Sequence, residues 1–200
     1  MGFDFKNDPI DNFLNLFKEA QVRGIPESNA MTLATANEKK QPSARIVYFK
    51  GISEVHNRRG LSFYTNYNGR KGTDIDANPF VAANFFWPHQ DRQVRFEGKV
   101  YKLAREISEA YFLTRPRLSQ AGAWASAQSE KIESYQTLKN KISEIEKLYE
   151  GKPIPCPPNW GGYCLLPIEV EFWFGRAGRL HERYVYQFSD GQWDRFLRSP

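Results

Sequence analysis

Phe80-Val-Ala-Ala-Asn-Phe-Phe-Trp87 and Gln93-Val-Arg-Phe-Glu-Gly-Lys-Val-Tyr-Lys-Leu103 flank a short connection, Pro88 to Arg92. Two extended segments so closely joined read as an antiparallel strand pair. Working outward towards the N-terminus, Leu61 to Thr65 reads as a strand followed by the turn residues Asn66, Asn68 and Gly69. A short helix is expected over Gly72 to Ala77, ending before Pro79. Met31 to Ala36 and Ser43 to Lys50 read as two more strands around the polar turn Asn37 to Gln41. Residues 1–29 read as an N-terminal helix and its lead-in. Asp8 caps that helix, Pro9 suits its first position, and Ile10, Phe13, Leu14 and Phe17 share one face before Gly24 and Pro26 end it.

Downstream of the pair the period changes. Ile107, Ala110 and Tyr111 suggest a helix that Pro116 ends or redirects. Ile132, Tyr135, Leu138, Ile142, Ile145 and Leu148 recur every three or four residues, which predicts a helix over Ser129 to Glu150 with Gly151 as its stop. A Pro-rich loop, Lys152 to Gly162, leads into a long strand, Tyr163 to Phe174. Arg183 to Phe188 and Gln192 to Leu197 flank Asp190-Gly191, a strong hairpin signal. Seven or eight strands with short connections, and no regular strand–helix alternation, argue against a doubly wound parallel sheet. They fit a mainly β, α+β chain: a closed or nearly closed antiparallel barrel with peripheral helices, in one domain over residues 1–200.

Composition bounds the function. The chain has 200 residues, 40% hydrophobic and 15% aromatic, with 28 Lys plus Arg against 23 Asp plus Glu, a net charge of +5. So many aromatics argue against disorder. The near-apolar run Val81 to Trp87 falls far short of the ~20 residues a transmembrane helix needs. MGFDFKNDPI lacks the cationic-then-apolar order of a signal peptide. Cys156 and Cys164 stand at neither zinc nor redox spacing, and His56, His89 and His181 are scattered, so no metal is expected. A reduced, cytoplasmic protein is the default reading. The cations are dispersed among acids rather than gathered in a basic stripe, so nucleic acid is not the expected partner.

Four constellations could carry chemistry. Arg45-Ile-Val-Tyr-Phe-Lys50 puts a cation at each end of a strand, and strand alternation would send the two to opposite faces. Arg70-Lys71 opens a short helix, where cations and free backbone N–H groups form a phosphate cradle. Tyr111, Arg115 and Ser119 recur every four residues across the Pro116 junction, a donor set suited to a phosphate monoester. Arg179 and His181 would share one face of an extended segment. Each stretch alone also reads as an ordinary charged turn or strand end.

Their order and spacing go further. RIVYFK at 45–50, FYTN at 63–66, RK at 70–71, RQV at 92–94, YFLTRPRLSQ at 111–120, GAWAS at 122–126, QS at 128–129, WGG at 160–162, EFW at 171–173 and RLHER at 179–183 together closely resemble the pyridoxine/pyridoxamine 5′-phosphate oxidase family. The resemblance runs from about Ala30 to the C-terminus. It implies an FMN-binding split β-barrel working as a homodimer, with FMN at the interface. It implies that Arg45, Ile46, Val47, Lys50, Tyr64, Thr65, Arg70, Lys71, Gln93, Gln128, Ser129, Trp173 and Arg183 bind FMN, some of them from the partner chain. Lys50, Tyr111, Arg115 and Ser119 would hold the substrate phosphate. Arg179 and His181 match the pair that sets the pyridine ring over the flavin.

The implied reaction carries a hydride from the 4′ carbon of pyridoxamine or pyridoxine 5′-phosphate to the flavin, which dioxygen reoxidises, giving pyridoxal 5′-phosphate and hydrogen peroxide. Two alternatives share the resemblance: a flavin oxidase of the phenazine-biosynthesis type, and a non-catalytic FMN- or pyridoxal-phosphate-binding protein. Three departures are visible. The family's N-terminal segment with an Arg and a Tyr is not matched, the usual Arg-Leu-Ala-Pro ending reads Leu197-Arg198-Ser199-Pro200, and Glu182 stands where Asp is common.

Overall fold

The computed structural model describes residues 2–200. Helix α1, Pro9–Val22, starts where the sequence places it: the Asp8 carboxylate accepts from the Ile10 N–H at 2.8 Å. It ends ahead of Gly24, whose φ of +67° favours glycine. Ile10, Phe13, Leu16 and Ala20 form its buried face.

The described strands are β1 (Ala30–Ala36), β2 (Pro42–Tyr48), β3 (Ile52–Val55), β4 (Arg58–Asn66), β5 (Phe80–Trp87), β6 (Arg92–Lys102), β7 (Trp160–Phe174), β8 (Glu182–Ser189) and β9 (Gln192–Leu197). All pairings are antiparallel, in the order β2-β1-β5-β6-β7-β4-β3, with β8 and then β9 branching from β7. The β5–β6 pair runs from Phe80 opposite Lys99 to Trp87 opposite Arg92. The ninth strand, unforeseen from sequence, is β3. His56 and Asn57 at its turn both take positive φ, which glycine-free sequence does not advertise.

The barrel splits at β7. Its residues 160–165 pair with β4 and its residues 169–174 with β8, while β6 follows it from Tyr163 to Phe174. The switch is a bulge between Glu97 and Gly98 opposite Pro167. Pro167 has no N–H to give the ladder, and a Cβ at Gly98 would come within 2.1 Å of the Leu166 carbonyl oxygen. The other side nearly closes: beyond β2 the Lys50 N–H donates to the Ser62 carbonyl at 2.8 Å, and the Ser62 N–H to Gly51 at 2.9 Å.

Phe13 of α1 plugs the interior. Its ring lies 4.8 Å from Phe85, 5.1 Å from Phe96 and 5.2 Å from Phe49. Full burial of such a side chain stabilises by roughly 1.5–3 kcal/mol. The lead-in residues Phe3 and Phe5 dock on Phe172, Tyr184 and Tyr186.

Helix α2 is Arg70–Ala77, α3 Arg105–Leu113, α4 Arg117–Ala125 and α5 Tyr135–Leu148. Helix α5 starts six residues later than the periodicity suggests. Ser129 has φ of +74°, incompatible with a helix start, and the cap is Ser134, whose side chain accepts from the Thr137 N–H. Cys156 and Cys164 are free thiols. Among the described residues no helix is long and apolar enough to cross a membrane.

Candidate functional site

A cavity of about 720 Å³ opens beside β2, β4 and the α3–α4 junction. That volume is ordinary for a small-molecule site, where ~300–1,000 Å³ is usual. Arg45, Ile46, Val47, Lys50, Tyr64, Thr65, Lys71, Tyr111, Arg115, Ser119 and Gln128, all proposed from sequence, line it together.

Arg45 and Lys50 do not part company as strand alternation predicts. Strand β2 ends at Tyr48, and the Lys50 N–H bonds to β4, so the alternation counted from Arg45 no longer applies at Lys50. Both therefore reach the same cavity. Arg45 donates to Thr35 Oγ1 at 2.7 Å and to the Leu33 carbonyl at 3.2 Å. Asp74, buried on α2, sits 3.8 Å from its guanidinium and accepts from Thr35 Oγ1 at 2.6 Å. Burial lowers the proton affinity of Arg45, Asp74 opposes that, and Arg70 adds to it.

Lys71 follows from a tight entry to α2. A Cβ at Gly72 would lie 1.9 Å from the Tyr67 carbonyl oxygen, so only glycine allows this turn. The Lys71 ammonium donates to Gln128 Oε1 at 2.7 Å and to Thr65 Oγ1 at 3.1 Å. Burial first, and then the charge of Arg45, pushes its pKa below the usual lysine value. A group held so favours an incoming anion. Arg70 itself is exposed and outside the cavity lining; its N–H donates to Ser129 Oγ at 3.1 Å.

The second set of donors hangs on the α3–α4 junction. The Gln120 amide donates to the carbonyls of Phe112, Leu113 and Arg115 at 3.1, 3.3 and 3.0 Å, stapling the turn around Pro116. Tyr111 at the end of α3 stacks on Tyr64 with centroids 4.0 Å apart, and both rings run nearly parallel to Trp160. The Arg115 guanidinium lies 4.7 Å from the centre of the Trp160 ring. Its Nη1 is buried without a hydrogen-bond partner, and burial lowers its proton affinity. A buried guanidinium N–H left unpaired costs on the order of 1–3 kcal/mol, a debt that a bound anion removes.

The remaining proposed residues lie elsewhere. Gln93, Trp173 and Arg183 are directly opposite one another across β6, β7 and β8. His181 packs on Trp173 with ring centroids 4.6 Å apart, and its Nδ1 accepts from the Arg176 N–H at 3.2 Å. With Asp91, Gly175, Arg176 and Ala177 these two rings line a smaller hollow of about 290 Å³. Arg179 does not share an extended face with His181. It ends a short 3-10 turn, Ala177–Arg179, with φ of +60°.

Sequence reasoning missed four contributors. Trp160 and Asn66 stood inside quoted motifs without a role, and both line the cavity. Asp74 and Gln120 act by holding other residues, which only the folded geometry reveals.

The geometry defines a split-barrel protein with a cation-lined cavity. Known structures agree on the fold. PhzG from Burkholderia lata, solved with tetrahydrophenazine-1-carboxylic acid, superposes with a TM-score of 0.90 at 26% identity, covering 100% of this chain and 98% of that one. A pyridoxamine 5′-phosphate oxidase-related, FMN-binding protein from Nostoc punctiforme gives 0.77 at 16% identity, covering 98% and 100%. Residues 17–149 match the family described as pyridoxamine 5′-phosphate oxidase, and residues 160–200 match the pyridoxine 5′-phosphate oxidase C-terminal dimerisation region. A pyridoxine/pyridoxamine 5′-phosphate oxidase from Bdellovibrio bacteriovorus is 51% identical over 99% of this chain and 100% of its own length. One from Rubrobacter xylanophilus is 50% identical over 96% and 87%. The chain belongs to the pyridoxamine 5′-phosphate oxidase family.

Proposed function

We propose that this protein is an FMN-dependent oxidase that converts pyridoxamine 5′-phosphate, pyridoxine 5′-phosphate or both to pyridoxal 5′-phosphate. The carrying observation is one cavity holding two separate sets of phosphate donors. Arg45, Lys71, Thr65 and Gln128 form one, and Lys50, Tyr111, Arg115 and Ser119 the other. Two phosphate monoesters, cofactor and substrate, need two cradles. FMN fits the first set: Lys71 is a half-buried cation bonded only to neutral oxygens, and α2 begins beside it. Arg115 Nη1, unpaired, suits the second.

FMN held by Arg45, Thr65, Lys71 and Gln128 would supply the redox chemistry: hydride acceptance from the substrate's 4′ carbon and two-electron reduction of dioxygen to hydrogen peroxide. The chain's own residues bind and orient. Lys50, Arg115 and Ser119 fix the substrate by its phosphate, and the Tyr64–Tyr111–Trp160 stack walls that end against water. Arg179 and His181 would set the pyridine ring.

These last two, with Trp173 and Arg183, fall within the region that matches the family's dimerisation segment. They lie outside the cavity of their own chain. Both facts support a homodimer in which the hollow of one protomer completes the cavity of its partner. A single domain over residues 1–200 is supported by one sheet containing all nine described strands. Two free thiols support a cytoplasmic location.

The likeness to PhzG favours a second reading, a flavin oxidase acting on phenazine precursors. Peroxide release during turnover of pyridoxamine 5′-phosphate and pyridoxine 5′-phosphate, set against unphosphorylated pyridoxamine, separates the two. Turnover that depends on the phosphate supports the vitamin oxidase. Flavin binding without turnover of either ester would point to a carrier or to the phenazine chemistry.

A further inference from the structure

Beside the row Gln93, Trp173, Arg183 lies a layer of charge whose carboxylates have no role in the proposed reaction. Cross-strand register puts Arg95 opposite Glu171 and Glu97 opposite Glu169. Residues two apart on a strand share a face, so this layer continues the face that carries Gln93 and Trp173. Glu171 is its centre, only 2% exposed. Its carboxylate accepts from Arg183 Nε at 3.1 Å and from Arg183 Nη2 at 2.8 Å. It also accepts from Arg198 Nη1 at 2.8 Å and from Arg95 Nη2 at 3.4 Å. Arg198 binds Glu169 as well, at 2.9 Å, and its N–H donates to the Arg183 carbonyl at 3.0 Å. Arg183 Nη1 returns to the Ser199 carbonyl at 2.9 Å.

Three guanidinium groups thus meet three carboxylates. Removing one partner from a buried network of this kind leaves an uncompensated charge. Bidentate contact also fixes the plane of the Arg183 guanidinium, because the fork geometry admits one orientation.

We infer that Glu171 is a positioning residue for Arg183, holding its guanidinium in one plane and cancelling most of its charge where it meets the flavin, with Arg198 as the second clamp on the same carboxylate. The inference rests on the reading that Arg183 contacts FMN. Its consequence is a muted positive field beside the cofactor. Glu171→Gln frees that field and loosens the fork. Positive charge nearby favours the anionic reduced flavin, so the midpoint potential of the bound cofactor rises while FMN binds several-fold more weakly.

The test compares FMN dissociation constants, by flavin fluorescence, and midpoint potentials, by dye titration, in Glu171→Gln, Glu171→Asp, Arg198→Gln and Arg183→Lys holoproteins. The expected pattern has four parts. Glu171→Gln raises the potential and weakens FMN. Glu171→Asp recovers most of the affinity. Arg198→Gln, which spares both Glu171 and Arg183, shifts the potential less and in the opposite direction, since it removes a positive charge. Arg183→Lys weakens FMN. If Arg183→Lys changes affinity and Glu171→Gln changes neither quantity, the positioning role is wrong. If Arg183→Lys itself changes neither, the reading of Arg183 as a flavin contact fails first. Should Glu171→Gln not fold, an unchanged potential in Arg198→Gln overturns the inference by itself.

Discussion

Arg115→Ala is the perturbation whose outcome the structure specifies most fully. The wild-type guanidinium is half-buried at the cavity wall, leans on Trp160 at 4.7 Å, and leaves its buried Nη1 unpaired. Two effects on stability oppose each other. Losing the cation–π contact costs ~0.5–2 kcal/mol. Removing an unsatisfied buried donor returns ~1–3 kcal/mol. The net effect lies between a loss of ~1 and a gain of ~2.5 kcal/mol, so the melting temperature of the variant without substrate should fall by no more than about 4 °C and rise by no more than about 10 °C, at ~2–4 °C per kcal/mol for a chain of this size. Substrate binding has no such compensation. A charged hydrogen bond to phosphate contributes ~1.5–3 kcal/mol, so KM for pyridoxamine 5′-phosphate should rise ~10- to 150-fold. KM for unphosphorylated pyridoxamine, however poor a substrate, should hardly change. Steady-state peroxide release reads the two KM values and thermal denaturation the melting temperature. An unchanged KM for the ester, or an equal rise for both amines, would remove Arg115 from the phosphate site. A large fall in melting temperature would show that its work is structural.

Three further outcomes follow from the same geometry. Lys71→Ala should weaken FMN by ~1.5–3 kcal/mol while leaving riboflavin, which lacks the phosphate, little affected; fluorescence titration with both flavins checks this. Gly72→Ala pushes a Cβ against the Tyr67 carbonyl, which backbone alone must absorb. Overpacking of that kind costs ~1–3 kcal/mol, and because α2 carries Lys71 the purified variant should also retain less FMN. The third concerns acid. Burial raises the pKa of Glu171, but bonds from Arg183 and the charges of Arg95 and Arg183 outweigh it and hold the carboxyl below its ordinary 4.5. A depressed folded value stabilises above the unfolded pKa and is lost as pH falls through the folded one. Wild type should thus lose melting temperature below pH ~4.5 more steeply than Glu171→Gln, and parallel slopes would contradict the assignment.

The strand pair 80–103, the α1 cap at Asp8 and the Asp190-Gly191 turn were legible because each depends on local pattern alone. So was the grouping of Lys50, Tyr111, Arg115 and Ser119, through motif order. The β3 hairpin was not, since His56 and Asn57 take positive φ without a glycine to signal it. Nor was the true start of α5, where apolar spacing runs back into a loop that Ser129 bends. Arg45 and Lys50 converge because β2 ends between them, a matter of pairing rather than period. Asp74, Gln120 and Glu171 act through other side chains, and such roles leave no mark until the contacts exist.

The most direct test of the central claim is the visible flavin band of the purified holoprotein, followed without oxygen while pyridoxamine 5′-phosphate is added. The account predicts that one equivalent of the ester bleaches the band, that pyridoxamine at the same concentration does not, and that air restores the colour with one equivalent of hydrogen peroxide. A band that stays oxidised under saturating phosphate ester would contradict it.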